Sequence, residues 1–280
     1  MHVAEYTRYK THGGVAVRVR RLGEEETGMK RANRVFLVTV ALLLAASGLA
    51  VAADINGTPR DDTLRGTLKA DTIRGFAGGD TIKALAGKDK ALGGKGADEI
   101  YGGDDYDELR GGPGADRTFG QDYTDSLYGD DGDDFLRADS PDTTDRRPDV
   151  LIGGDGDDTL LGGEGAVSDE ECCLRYGDSL HGGPGVDTVY GRSGPDSLSR
   201  AGGKDELYGE TGDDGILGDN GADRLHGGAG EDYLNGEEGD DRVFAVDGDK
   251  DDILCGSGTD TVEADAIDEV ANGCENVTRQ

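Results

Sequence analysis

From Gly182 to Phe244 the chain repeats a nine-residue unit seven times without a break: GGPGVDTVY, GRSGPDSLS, RAGGKDELY, GETGDDGIL, GDNGADRLH, GGAGEDYLN, GEEGDDRVF. Position 6 is Asp in every unit: Asp187, Asp196, Asp205, Asp214, Asp223, Asp232 and Asp241. Position 8 is aliphatic in every unit: Val189, Leu198, Leu207, Ile216, Leu225, Leu234 and Val243. A fixed short period means one small structural unit stacked on itself. Gly reaches φ > 0 without a Cβ clash, so the Gly-rich half is a tight turn. The other half, such as DTVY, alternates polar and apolar and is too brief for a helix. It reads as a short strand with one side chain pointing inward. One inward aliphatic per unit makes no core alone; stacking the units lines these side chains into a ladder.

Stacking also sets the position-6 carboxylates above one another at about 4.8 Å per strand step. Rows of carboxylates that close repel. A hard cation taking oxygen ligands from Asp side chains and backbone carbonyls removes the repulsion, and calcium fits that description. The pattern resembles the RTX (repeat-in-toxin, haemolysin-type) calcium-binding nonapeptide GGxGxDxUx, U being a large aliphatic. GGKGADEIY, GGDGDDTLL and GGPGVDTVY match it in full, and the resemblance covers roughly residues 57–263. It implies an all-β fold, a right-handed parallel β-roll with two nonapeptides per coil. Calcium would sit between stacked turns, held by the position-6 Asp and turn carbonyls.

Aligning every unit on its Asp predicts about 21 rungs. Before Asp187 the position-6 residues are Asp62, Asp71, Asp80, Asp89, Asp98, Asp107, Asp116, Asp125, Asp134, Asp149, Asp158 and Asp178; after Asp241 they are Asp252 and Asp260. Position 8 is aliphatic except at Ala91 and Thr118. The spacing is nine apart from 15 before Asp149, 20 before Asp178, 11 before Asp252 and 8 before Asp260.

With two rungs per coil, odd turns line one edge and even turns the other. Position 4 of the odd turns is always Gly: Gly78, Gly96, Gly114, Gly132, Gly156, Gly185, Gly203, Gly221, Gly239 and Gly258. On the even edge Gly87, Gly194, Gly212 and Gly230 hold the position, while Lys69, Asp105 and Tyr123 replace it elsewhere. All three insertions fall on even turns. The odd edge is therefore expected to carry a continuous calcium row through Asp80, Asp98, Asp116, Asp134, Asp158, Asp187, Asp205, Asp223 and Asp241, and on to Asp260. The even edge is expected to bind well only around Asp196, Asp214 and Asp232.

The formal net charge is −31. Residues 1–52 hold eight Lys/Arg and four Asp/Glu, which leaves 21 against 56 beyond them. That field suits cations and excludes nucleic acid or an anionic membrane surface as partners. Residues 29–53 read as a secretory leader: a basic start at Lys30, Arg31 and Arg34, an apolar run from Val35 to Leu49, and an Ala50-Val51-Ala52 cleavage site. A membrane anchor is the other reading of so long an apolar run; the small residues at its end favour cleavage, leaving no membrane attachment. Residues 1–28 do not belong to the leader and are expected to be a misassigned N-terminal extension. The remaining domains are the roll, 54–263, and a C-terminal cap, 264–280, in which Ile267, Val270 and Val277 could cover the last coil.

Four cysteines in an exported chain suggest disulfides, and four allow three pairings. Cys172 lies four coils from Cys255, roughly 19 Å along the stack, whereas bridged Cα atoms lie within about 7 Å. Cys255–Cys274 is the expected pair, leaving Cys172 and Cys173 as a vicinal bridge, free thiols or an intermolecular link. The insertions 138–148 and 164–177 are binding loops or tolerated decoration. Position 9 of the odd strands holds Tyr101, Phe119, Tyr190, Tyr208, His226 and Phe244, interrupted by Arg137 and Leu161. Such a row either braces the sheet or offers a face for carbohydrate or self-association.

No HExxH, GxSxG, P-loop or CxxC occurs, and a carboxylate on every rung is better explained by repetition than by a catalytic pair. The expected function is a secreted, non-catalytic calcium-binding repeat protein that folds or rigidifies on extracellular calcium. The alternative is a calcium-dependent adhesion or extracellular-matrix protein that grips a polysaccharide or a neighbouring protein.

Overall fold

A computed structural model describes residues 9–11, 14–16, 51–139, 148–163 and 177–280. Most of the extension 1–28, most of the leader, the greater part of both long insertions, and Cys172 and Cys173 lie outside the described residues. Among the described residues every regular element is a β-strand, and no helix is long and apolar enough to cross a membrane.

Twenty-four of the 28 described strands form two parallel sheets of twelve, whose orders skip along the chain so that successive strands of the stack alternate between sheets; the other four make two small two-stranded pairs. Thr81–Ala86 pairs with Glu99–Asp104, for example, while Thr72–Ala77 pairs with Lys90–Lys95 in the other sheet. This is a parallel β-solenoid in which each coil contributes one strand to each sheet. The 21 expected rungs are joined by a strand at Asp54–Asn56 before them and by two after Asp260.

The insertions leave this alternation intact. Ser126–Asp131 pairs with Val150–Asp155, which pairs with Ser179–His181 and so with Ser197–Ser199. In the facing sheet Arg117–Gln121 leads through Phe135–Asp139 and Thr159–Leu161 to Thr188–Ser193. The looped-out residues therefore change neither register nor parity.

Between the sheets runs the position-8 ladder. Ile73, Ile82, Ile100, Leu109, Leu127, Leu136, Leu151, Leu160 and their counterparts are all wholly buried. Each inward side chain packs on the equivalents one coil away, because a parallel in-register pair puts like residues side by side. Thr118 takes its place in the ladder, fully buried.

Register corrects one rung. The expected position-6 residue Asp252 pairs with Tyr233, and Leu234 pairs with Ile253. Asp251 is therefore the inward carboxylate, 1% exposed, and Ile253, not Leu254, enters the core. Two adjacent aspartates followed by two adjacent aliphatics fit the pattern in either frame. A one-residue slip would turn each side chain to the opposite face, and burial of Ile253 selects the frame.

The segment 264–280 also departs from a simple lid. Glu269–Val270 and Asn276–Arg279 each add a strand to one sheet. Val270 and Cys274 pack against the core, whereas Ile267 is 54% exposed. Cys255 and Cys274 are joined by a disulfide, their Cα atoms 5.3 Å apart, which ties this end to the last full coils.

Because each coil touches only its neighbours, a core truncation should act locally and strongly. Leu160→Ala is expected to lower stability by about 2–5 kcal/mol, read by chemical denaturation against the unaltered protein.

Candidate metal centre

Each position-6 Asp sits where a turn enters a strand, and its backbone is fixed on both sides by the coil stack. Its carbonyl accepts the position-7 amide of the next coil, as in Glu99 N to Asp80 O at 2.8 Å. Its own amide donates to the Oδ1 of the Asp one coil ahead: Asp80 to Asp98, Asp98 to Asp116 and Asp116 to Asp134, each at 2.7 Å. The facing edge repeats this from Asp71 to Asp89 at 2.6 Å and from Asp89 to Asp107 at 2.8 Å. One row ends at Glu275, which accepts from Asp260, and the other at Asp268, which accepts from Asp251. Neither acidic end residue was legible as part of the repeat, because the Gly-rich turns before them have gone.

One carboxylate oxygen is thus used by the fold. The other, Oδ2, is buried without a hydrogen-bond partner at Asp80, Asp89, Asp98, Asp107, Asp116, Asp134, Asp158, Asp187, Asp196, Asp214, Asp232, Asp241, Asp251 and Asp260. In eleven of these fourteen it faces a glycine at position 1 of its own turn, whereas Ala84 holds that position before Asp89 and Cys255 before Asp260. A Cβ added to Gly129 would lie 2.3 Å from Asp134 Oδ2 and 2.4 Å from the carbonyl of Gly153, one coil on; at Gly153 the values are 2.3 Å to Asp158 Oδ2 and 2.4 Å to Gly182 O. The same pair of oxygens closes on Gly75 and Gly209. At these glycines a carboxylate and a carbonyl from two coils converge on the Cα.

Two oxygens approaching one another, with no donor between them, fit a hard cation. Among the described residues no group of three or more His, Cys, Asp or Glu side chains is placed to hold a metal, so backbone carbonyls must complete any ligand set. Carboxylate plus carbonyl is the donor chemistry of calcium. Burial is the main reason that these carboxyls are held far above the usual carboxylate range, and nearby carboxylates add to it. The Asp107 and Asp196 carboxyls are pushed up to about 8. Those of Asp89, Asp116, Asp158, Asp241 and Asp251 reach about 7, and those of Asp80, Asp134, Asp214 and Asp232 about 6. The amide donated from the preceding coil partly offsets this at each of them.

The turn glycines behave as their position requires. All ten odd-edge position-4 glycines, Gly78 to Gly258, have φ between +109° and +155°. On the even edge Asp105 (φ +78°) and Tyr123 (φ +82°) adopt the left-handed region without being glycine. Missing glycines therefore do not abolish the turn, and Asp89, Asp107 and Asp251 present the same unpartnered oxygen as Asp196, Asp214 and Asp232.

Elsewhere the protein itself supplies a donor. Thr58 N–H and Oγ1–H donate to Asp62 Oδ2, and Thr67 N–H to Asp71 Oδ2. Gly163 N–H donates to Asp178 Oδ2 at 2.6 Å. On the odd edge the expected unbroken row is interrupted: the guanidinium of Arg200 is ion-paired with both Asp205 and Asp223. Outside the rows, position-5 carboxylates add a second, exposed tie between coils, such as Asp133 accepting from Asp157 N at 3.0 Å and Asp240 from Thr259 N at 2.8 Å.

The family model for the RTX calcium-binding nonapeptide repeat (four copies) matches residues 56–91, 75–109, 84–118, 110–140, 144–166, 175–198, 181–216, 201–225 and 217–249. The chain belongs to the RTX calcium-binding repeat family. No curated protein matches the chain. As in the family, calcium is the ion that these repeats take, at multiple sites.

A pH dependence follows for the metal-free RTX roll. Unfolded Asp titrates near 3.9, whereas burial pushes the folded carboxyl of Asp80 up to about 6 and that of Asp107 up to about 8. The folded state therefore binds protons more tightly. Its stability is fullest below about pH 4 and is lost as the pH rises through the folded values. Circular dichroism in calcium-free buffer should show more β-structure at pH 5 than at pH 8, and saturating calcium should remove the difference.

Proposed function

We propose that this chain is an exported, non-catalytic calcium-binding roll whose folding is completed outside the cell by the ion. The carrying observation is the file of buried carboxylate oxygens that have no partner within the protein. Without a counter-charge each is a desolvated anion or must hold a proton. Calcium supplies positive charge and accepts oxygen ligands. On the odd edge Asp80, Asp98, Asp116, Asp134, Asp158, Asp187, Asp241 and Asp260 would hold it, and on the even edge Asp89, Asp107, Asp196, Asp214, Asp232 and Asp251. Only the stacked coil brings carboxylate and carbonyl together, so binding energy is folding energy. Where calcium is scarce, the acidic repeats repel and the roll stays open; at the concentrations where extracellular modules work, about 10⁻⁴–10⁻³ M, it closes.

Export is supported by the leader-like stretch 29–53 and by the Cys255–Cys274 bridge, which suits an oxidising compartment. A non-catalytic role is supported by the two histidines of the roll, both in structural use. His226 is stacked between Tyr208 and Phe244, and His181 Nδ1 lies 3.1 Å from Ser199 Oγ.

The adhesion reading would need the position-9 aromatics to offer ring faces. Tyr190, Tyr208, His226 and Phe244 stack on one another at 4.8, 4.5 and 4.3 Å, and Tyr101 on Phe119 at 4.9 Å. Ring faces spent on each other favour a sheet brace over a glycan platform.

Calcium titration of the chain from Ala53 onward, followed by far-ultraviolet circular dichroism, should show little β-structure in chelator and a cooperative gain by millimolar calcium. Magnesium at the same concentration should not reproduce it, because its small octahedral shell fits such a site poorly. Full structure in chelator at neutral pH would remove the folding role.

A further inference from the structure

Arg200 stands at position 1 of its turn, a position that is glycine in most of the other turns. It is the largest wholly buried side chain among the described residues, 0% exposed. Its Nη1 pairs with Asp205 of its own turn; its Nη2 pairs with Asp223 of the next coil and donates to the carbonyl of Gly218. Gly218 holds position 1 of that next turn. These are the own-turn carboxylate, the next-coil carboxylate and the next-coil position-1 carbonyl. At Gly129 and Gly153 the own-turn carboxylate and next-coil carbonyl converge in the same way.

We propose that Arg200 is a resident cation that takes the place of one calcium ion in the odd row, locking the coils around Asp205 and Asp223 without metal. The inference rests on the calcium reading of the rows. A guanidinium is planar, permanently charged and forked, so one group reaches two carboxylates and a carbonyl together. Being covalently attached, it carries no concentration dependence. A calcium ion and the guanidinium cannot share those oxygens, for both positions lie against the same Cα. The odd row is thereby split into a segment ending at Asp187 and a segment beginning at Asp241. The coils between are held at calcium levels that leave the rest of the row unneutralised.

The test counts calcium. Arg200→Gly restores the repeat's own residue and opens the slot. Native mass spectrometry at saturating calcium should find one more ion per chain in the variant than in the unaltered protein, and an equal count would overturn the proposal. If the unaltered chain takes up no calcium, the calcium reading itself fails and the inference with it, a result distinct from equal nonzero counts. Hydrogen exchange of the unaltered protein in chelator needs no variant and covers the case in which Arg200→Gly does not fold. Amides of Asp187, Asp205 and Asp223 should exchange more slowly than those of Asp80, Asp98 and Asp116; uniform exchange would overturn the proposal.

Discussion

A desolvated carboxylate oxygen with nothing to bind is the constraint around which this roll is built. Burying an isolated charge is prohibitive, and the group must be paired, protonated or metal-bound. Here the problem is not isolated. Parallel stacking repeats it on every coil along both edges, and the Oδ1 that knits one coil to the next commits each Asp to that buried place. The fold cannot release the carboxylates without losing the amide bonds that define its turns.

The chain itself meets this requirement with two chemistries. At the first two turns, and at Asp178 after the longest insertion, a backbone amide closes on the carboxylate and the turn satisfies itself. At Asp205 and Asp223 a guanidinium does so. At fourteen others, from Asp80 to Asp260, Oδ2 is buried without a hydrogen-bond partner. At the first two turns the difference lies at position 2: Phe76, Arg192 and Glu210 have φ of +74° to +83° there, whereas Thr58 and Thr67 are not in the left-handed region and turn their amides onto Asp62 and Asp71.

Much of the architecture could be read from the period. An Asp every nine residues with an aliphatic two places on implies a stacked strand and turn, a core of like residues and two acidic rows. The parity of the insertions followed as well, since a loop that bulges outward cannot disturb in-register pairing. Less could be read where local chemistry is degenerate. The pair Asp251-Asp252 fits two frames, and Asp268 and Glu275 carry no Gly-rich turn to announce them. Nor does glycine count alone mark the left-handed turn positions, because Asp105 and Tyr123 adopt them too.

Periodicity, then, suffices for the coil, its core and the identity of the ion, because these depend on residue types at fixed offsets. Which rungs are open to that ion is a different matter. It depends on where a side chain ends once the coils are in contact: on Thr58 reaching Asp62, and on Arg200 spanning two turns that are 18 residues apart in the chain. Contacts between coils have no signature along a single repeat, so the occupancy of the rows emerges only when the strands are stacked.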